Sequence, residues 1–122
     1  MEMVILLMTN NEKDIGDEKM NKYTIVTLCG PIKFKSEFMR VKEELTLNGN
    51  IVFTPNFFSG LKVEENTEIK KMLEEMHKQK IDMSDEIYVI NLGGYIGEST
   101  RAEIEYAKAK GKKICYLEKN KI

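Results

Sequence analysis

The sequence predicts an α/β fold: a Rossmann/flavodoxin-like three-layer sandwich around a parallel sheet of about four strands in the order 2-1-3-4. Three observations predict it. Apolar runs rich in β-branched residues alternate with stretches of helical period. Glycine and proline stand at the changeovers. The strand-helix-strand unit recurs along the chain, which requires parallel strands joined by right-handed crossovers. Strands laid side by side in sequence order would put every helix on one face, so the chain reverses between its first and third strands.

The elements follow in order. Tyr23–Cys29 (YTIVTLC) reads as a strand buried on both faces, broken by Gly30-Pro31. Phe34, Phe38, Val41 and Leu45 recur every three or four residues and predict a helix from Lys35 to Asn48, stopped by Asn48-Gly49. Asn50–Thr54 is a short strand ended by Pro55, and residues 55–66 form a longer loop. A helix from Thr67 to Met83 offers one apolar face made of Ile69, Met72, Leu73, Met76 and Met83. Glu86–Asn91 is the third strand and Leu92–Gly97 a glycine-rich loop. Ser99–Lys110 is a helix carrying Ala102, Ile104, Tyr106, Ala107 and Ala109, closed by Gly111, and Lys112–Leu117 is the fourth strand.

Ahead of this pattern, Met1–Met8 (MEMVILLM) is too short for a membrane span and has no basic start. A polar stretch follows it. Residues 1–20 therefore read as an appendage, and residues 21–122 as a single domain.

Composition bounds the function. Hydrophobic residues at 42% and charged residues at 32% of 122 fit a soluble globular chain. Nineteen basic against twenty acidic residues give a net charge of -1, so no one-signed field exists to hold nucleic acid. The chain has no Trp, and its Tyr and Phe residues are scattered, which argues against a base-stacking platform. Cys29 and Cys115 each end an apolar run without forming a CxxC pair, as buried thiols in a reducing, cytoplasmic setting would. The single histidine, His77, has no ligand spacing around it, so neither a metal site nor a cofactor is expected.

In an open parallel sheet, ligands sit where the strand order reverses, outside the carboxyl ends of the two strands concerned. That rule selects two loops, Gly30–Lys35 and Leu92–Arg101. In the first, Gly30, Pro31, Ile32 and Lys33 can bind a phosphate, with glycine allowing close approach and the next helix start supplying amides. In the second, Gly94, Gly97, Ser99, Thr100 and Arg101 offer the same chemistry, though helix capping accounts equally well for Ser99-Thr100. Thr100 and Glu103 fit a Thr-x-x-Glu capping box, which gives Glu103 a structural role. Glu98 can serve as nucleophile or acid/base, or simply as a solvated residue favoured by the helix dipole. His77, between Leu73 and Ile81, is a packed histidine or a group facing the pocket.

These loops resemble those of the nucleoside 2-deoxyribosyltransferase superfamily, which includes 2'-deoxynucleoside 5'-monophosphate N-glycosidases. The resemblance covers most of Tyr23 to Leu117. Cys29-Gly30-Pro31-Ile32-Lys33 occupies the family's first turn, with Pro31 in place of a hydroxyl residue and Lys33 in place of arginine. Ser84-Asp85-Glu86-Ile87-Tyr88-Val89-Ile90 matches the strand that follows Ala-Asp, and Glu103-Ile104-Glu105-Tyr106-Ala107 matches the helix with Glu-x-Gly-Tyr/Arg-Ala. The resemblance implies cleavage or transfer at the N-glycosidic bond of a (deoxy)nucleoside 5'-monophosphate, without a cofactor. It also implies a homodimer or larger homo-oligomer, with the methionine face and Asn56-Phe57-Phe58 as candidate contacts. Asn91 and Leu92 cannot form a glycosyl ester, which leaves Glu98 as nucleophile and His77, near the family's helix aspartate, as acid. Two other readings stay open: a non-catalytic sensor of a nucleotide signal, and a protein-interaction module using the Thr67–Met83 helix.

Overall fold

In the computed structural model, residues 22–58 and 67–119 are described. The expected appendage and most of the tip of the long loop lie outside them. The elements are β1 (Thr24–Cys29), α1 (Lys35–Leu47), β2 (Asn50–Phe53), α2 (Thr67–Asp82), β3 (Glu86–Val89), α3 (Glu98–Ala109) and β4 (Lys113–Tyr116). All three strand pairings are parallel, and the sheet order is β2-β1-β3-β4. Thr27 of β1 lies opposite Phe53 on one side and Ile87 on the other, which puts the predicted reversal between β1 and β3.

Alternation along β1 and β3 builds two cores. Val26, Leu28 and Ile90 pack with Phe38 and Val41 of α1 on one face. Cys29, Ile87 and Val89 pack with Ile81 of α2 and with Ile104 and Ala107 of α3 on the other. This is the three-layer sandwich. Burying a side chain as large as Phe38 or Ile81 contributes about 1.5–3 kcal/mol, so these two layers fix the helices that carry the loops.

The α2 helix turns a different face inward than the sequence predicts. His77 and Ile81 are buried and Leu73 is half-buried, an i, i+4, i+8 stripe. Met72, Met76 and Met83 are 48%, 43% and 52% exposed. The polar His77 occupies a position in the inward stripe that apolarity alone assigns elsewhere. On α3 the inward residues are Thr100, Ile104 and Ala107, while Ala102 and Ala109 are exposed. Phe57, a candidate for self-contact, packs its ring on Phe38 at 5.4 Å within this chain's own core.

Polar side chains lock the sheet ends. The Asp85 carboxylate accepts from the Ile25 N–H at 2.8 Å while the Asp85 N–H donates to the Ile25 carbonyl at 2.8 Å. Asn91 is fully buried; its amide donates to the Glu118 carbonyl at 3.0 Å and its oxygen accepts from the Glu118 N–H at 2.8 Å. That pair ties the exit of β3 to the exit of β4. Among the described residues, no helix is long and apolar enough to cross a membrane.

Candidate functional site

β1 leaves the sheet through Gly30, whose φ of 152° belongs to the region that side chains avoid. A Cβ there would stand 3.0 Å from the Ile90 carbonyl oxygen and 3.1 Å from the Ile90 Cβ. The turn therefore runs against the end of β3, as the switch-point geometry demands. A 3-10 turn, Ile32–Phe34, leads into α1. Across from it, Gly97 precedes the first turn of α3 without any side-chain cap.

A cavity of about 390 Å³ opens beside this turn. Gly30, Pro31 and Ile32 form one wall, Pro55, Asn56 and Phe58 a second, and Ser99 and Glu103 of α3 a third. The α2 face closes it with Leu73, Glu74, His77 and Lys80, and with Lys70 further along. Lys80 is engaged: its ammonium donates to the Thr54 carbonyl at 2.7 Å, and burial lowers its pKa.

Glu103 and His77 meet at the floor, with Glu103 Oε1 3.7 Å from His77 Nε2. Fully buried behind them, Cys29 Sγ lies 3.5 Å from the same His77 Nε2. Burial pushes Glu103 up from 4.5 to about 7, against the lowering effect of the Cys29 thiol and with a further rise from the Glu74 charge. Burial, with the Lys80 charge adding, brings His77 down from 6.5 to about 4. Burial, followed by the Glu103 charge, raises the Cys29 thiol well above its ordinary value. Desolvation thus favours the neutral form of each group. With His77 neutral, the Glu103–His77 contact, too long for a hydrogen bond, is not a standing ion pair, and Glu103 passes from neutral to charged around pH 7.

The two predicted loops do meet, but side chains fill part of the gap. Lys33 stands over the Tyr95 ring at 4.5 Å and the Phe34 ring at 5.4 Å, while Phe34 and Tyr95 pack edge to face at 6.3 Å. The cavity lies on the other side of this plug, toward α2.

Of the residues expected to bind, Gly30, Pro31, Ile32 and Ser99 wall the cavity, as does His77. Lys33, Gly94, Gly97, Glu98, Thr100 and Arg101 are not among the described residues that do so. Gly94 donates its N–H to the Asn91 carbonyl at 2.7 Å within the second loop. Thr100 is buried under α3, and Glu98 and Arg101 are exposed on its first turn.

Glu103 is a correction. Because α3 begins at Glu98, Thr100 is its third residue and not its cap. The predicted capping box does not form, and Glu103 is free to face the cavity. The sequence likewise presents Cys29 only as a buried thiol. Nothing in local spacing links it to His77, 48 residues away.

No curated protein matches this chain. A family model described as "Domain of unknown function (DUF4406)" matches residues 20–116, which span the sheet, the helices and every wall of the cavity. The chain therefore belongs to the DUF4406 family.

Proposed function

We propose that the cavity binds a (deoxy)nucleoside 5'-monophosphate and that Glu103 attacks its anomeric carbon. The observation that carries this reading is the Glu103 carboxyl, 3.7 Å from the His77 imidazole, on the floor of a cavity with the start of α3 on its wall. Ser99 and the uncapped amides of α3 suit a phosphate. Ile32 and Phe58, both exposed at the walls, suit the face of a base.

In the first step a Glu103 oxygen bonds to the anomeric carbon as the bond to the base nitrogen breaks. The electron pair leaves with the base, and a solvent proton is relayed to the base nitrogen through the His77 imidazole, which returns to its neutral form; the water of the second step gives a proton back to solvent. Negative charge at Glu103 stabilises the oxocarbenium-like transition state. Water, or a second base, then displaces the carboxylate from the sugar. Glu98 takes no part. A chromatographic assay over a panel of deoxynucleoside monophosphates tests this. Free base is expected from the native chain and from Glu98→Gln, and none from Glu103→Gln. Equal turnover by Glu103→Gln and the native chain would refute it.

One observation favours a second reading, a binder without catalysis: burial holds Glu103 largely protonated up to about pH 7, which weakens it as a nucleophile. That reading predicts thermal stabilisation by a nucleotide with no product released.

A further inference from the structure

We infer that Cys29, His77 and Glu103 form a three-ligand site for a divalent transition metal, with zinc the best fit. This goes beyond the nucleotide reading and does not rest on it. The ligand atoms come from β1, α2 and α3 and lie within 4.8 Å of one another. A thiolate, an imidazole nitrogen and a carboxylate oxygen are the donor types zinc selects.

The spacing agrees with tetrahedral coordination. Zn–S of about 2.3 Å and Zn–N of about 2.0–2.1 Å put sulfur and nitrogen about 3.5 Å apart, and nitrogen and oxygen about 3.4 Å apart. The observed separations are 3.5 Å for Cys29 Sγ to His77 Nε2 and 3.7 Å for Glu103 Oε1 to the same nitrogen. The third pair, sulfur and carboxylate oxygen, lies within 4.8 Å and has to close to about 3.6 Å around an ion, a shift the Glu103 side chain can make by rotation.

The shared nitrogen decides between a metal site and a catalytic relay. In a nucleophile-histidine-carboxylate relay, the two partners use opposite ring nitrogens. Here both sulfur and oxygen face Nε2, and one proton at that atom can serve only one of them. A cation between the three serves all. Cys29 is also completely buried, which removes it as a nucleophile toward a cavity ligand. His77 Nδ1, buried without a hydrogen-bond partner among the described residues, is left to carry the imidazole proton when Nε2 is a ligand.

Three protein ligands leave a fourth position, as in catalytic and not structural zinc sites. Glu103 and His77 wall the cavity, so that position is reached from it. A metal held there occupies the Glu103 carboxylate. Zinc-loaded and nucleotide-cleaving forms would therefore exclude one another.

The test is titration of the full-length, chelator-treated chain with Co²⁺, in the absence of any nucleotide. The site predicts a single equivalent bound, tetrahedral cobalt bands in the visible, a thiolate-to-cobalt band in the near ultraviolet, and displacement of all of these by Zn²⁺. Cys29→Ser removes the thiolate band, while Cys115→Ser, altering the other cysteine, leaves it. Glu103→Gln, which keeps the side-chain shape, weakens binding by more than the roughly 10–100-fold lost with an outer-shell partner. Thermal melts in chelator check that each variant folds. Absence of a thiolate band in the native chain, its persistence in Cys29→Ser, or its loss in Cys115→Ser overturns the site. None of these outcomes bears on nucleotide cleavage, which is read separately as released base.

Discussion

Glu103 and His77 reach the same point from different helices, 3.7 Å apart beneath a cavity walled by the segments that follow β1 and β2 and by the two helices themselves. The parallel order β2-β1-β3-β4 creates the crevice, and the i, i+4 stripe Leu73–His77–Ile81 turns the imidazole toward it. The start of α3 at Glu98 puts Glu103 on the facing side.

The protonation of Glu103 makes stability depend on pH. Its folded pKa, about 7, is above its ordinary 4.5, so the folded chain binds the extra proton between those values. Stability from this group is full below about pH 4.5 and is lost as pH rises through 7. His77 runs oppositely, since its pKa falls from 6.5 to about 4 and its contribution is lost as pH drops. The two nearly offset in the native chain. Glu103→Gln cannot ionise, while Cys29, Glu74 and Lys80 around it are unchanged. Its stability in chelator, measured by urea unfolding, should gain on the native chain by about 2–3 kcal/mol between pH 4.5 and pH 8. A difference independent of pH would contradict the burial account.

Gly30 is required by its conformation and by its neighbour. Gly30→Ala places a Cβ 3.0 Å from the Ile90 carbonyl oxygen at a φ of 152°. It should lower stability by about 1–3 kcal/mol in urea unfolding, with nucleotide affinity reduced as the turn moves. An unchanged midpoint would show that the turn relaxes freely.

Asn91 is a structural residue at the exit of β3. Asn91→Ala removes both bonds to Glu118 and leaves its backbone N–H and carbonyl without those partners. The expected cost is about 2 kcal/mol, read as a lower midpoint of unfolding.

Lys33 and Ser99 separate the expectation from the structure. Lys33 is held by the Tyr95 and Phe34 rings outside the cavity, whereas Ser99 walls it. Ser99→Ala should weaken nucleotide binding roughly tenfold, the loss of one hydrogen bond to a charged group. Lys33→Ala should change it much less. Calorimetric titration distinguishes them, and the reverse ranking would move the phosphate to the far side of the aromatic plug.

Much of the architecture is legible in the sequence because it rests on local signals. The β-branched run Thr24–Cys29, the Phe38–Val41 period and the glycines at the ends of β1 and before α3 each specify their element without help from elsewhere. The strand order then follows from packing helices on both faces, and it selects both loops. The chemistry is less legible because it depends on how separate elements are rotated. Thr100 and Glu103 have the spacing of a capping box, yet a helix that starts at Glu98 turns that same spacing into one buried residue and one facing the cavity. His77 shares its inward stripe with Leu73 and Ile81, while the methionines that dominate the apolar count of this helix stay exposed. Cys29 meets it only because β1 is central in the sheet and α2 crosses its end. Lys33 fits a phosphate turn in sequence, but Tyr95 from the other loop captures it.

The most direct measurement is an amide chemical-shift titration of the isotope-labelled chain with deoxynucleoside 5'-monophosphates. The account predicts saturable changes centred on Gly30, Ile32, His77, Ser99 and Glu103. No change with any nucleotide, or changes centred on the outer surface at Glu98 and Arg101, would contradict it.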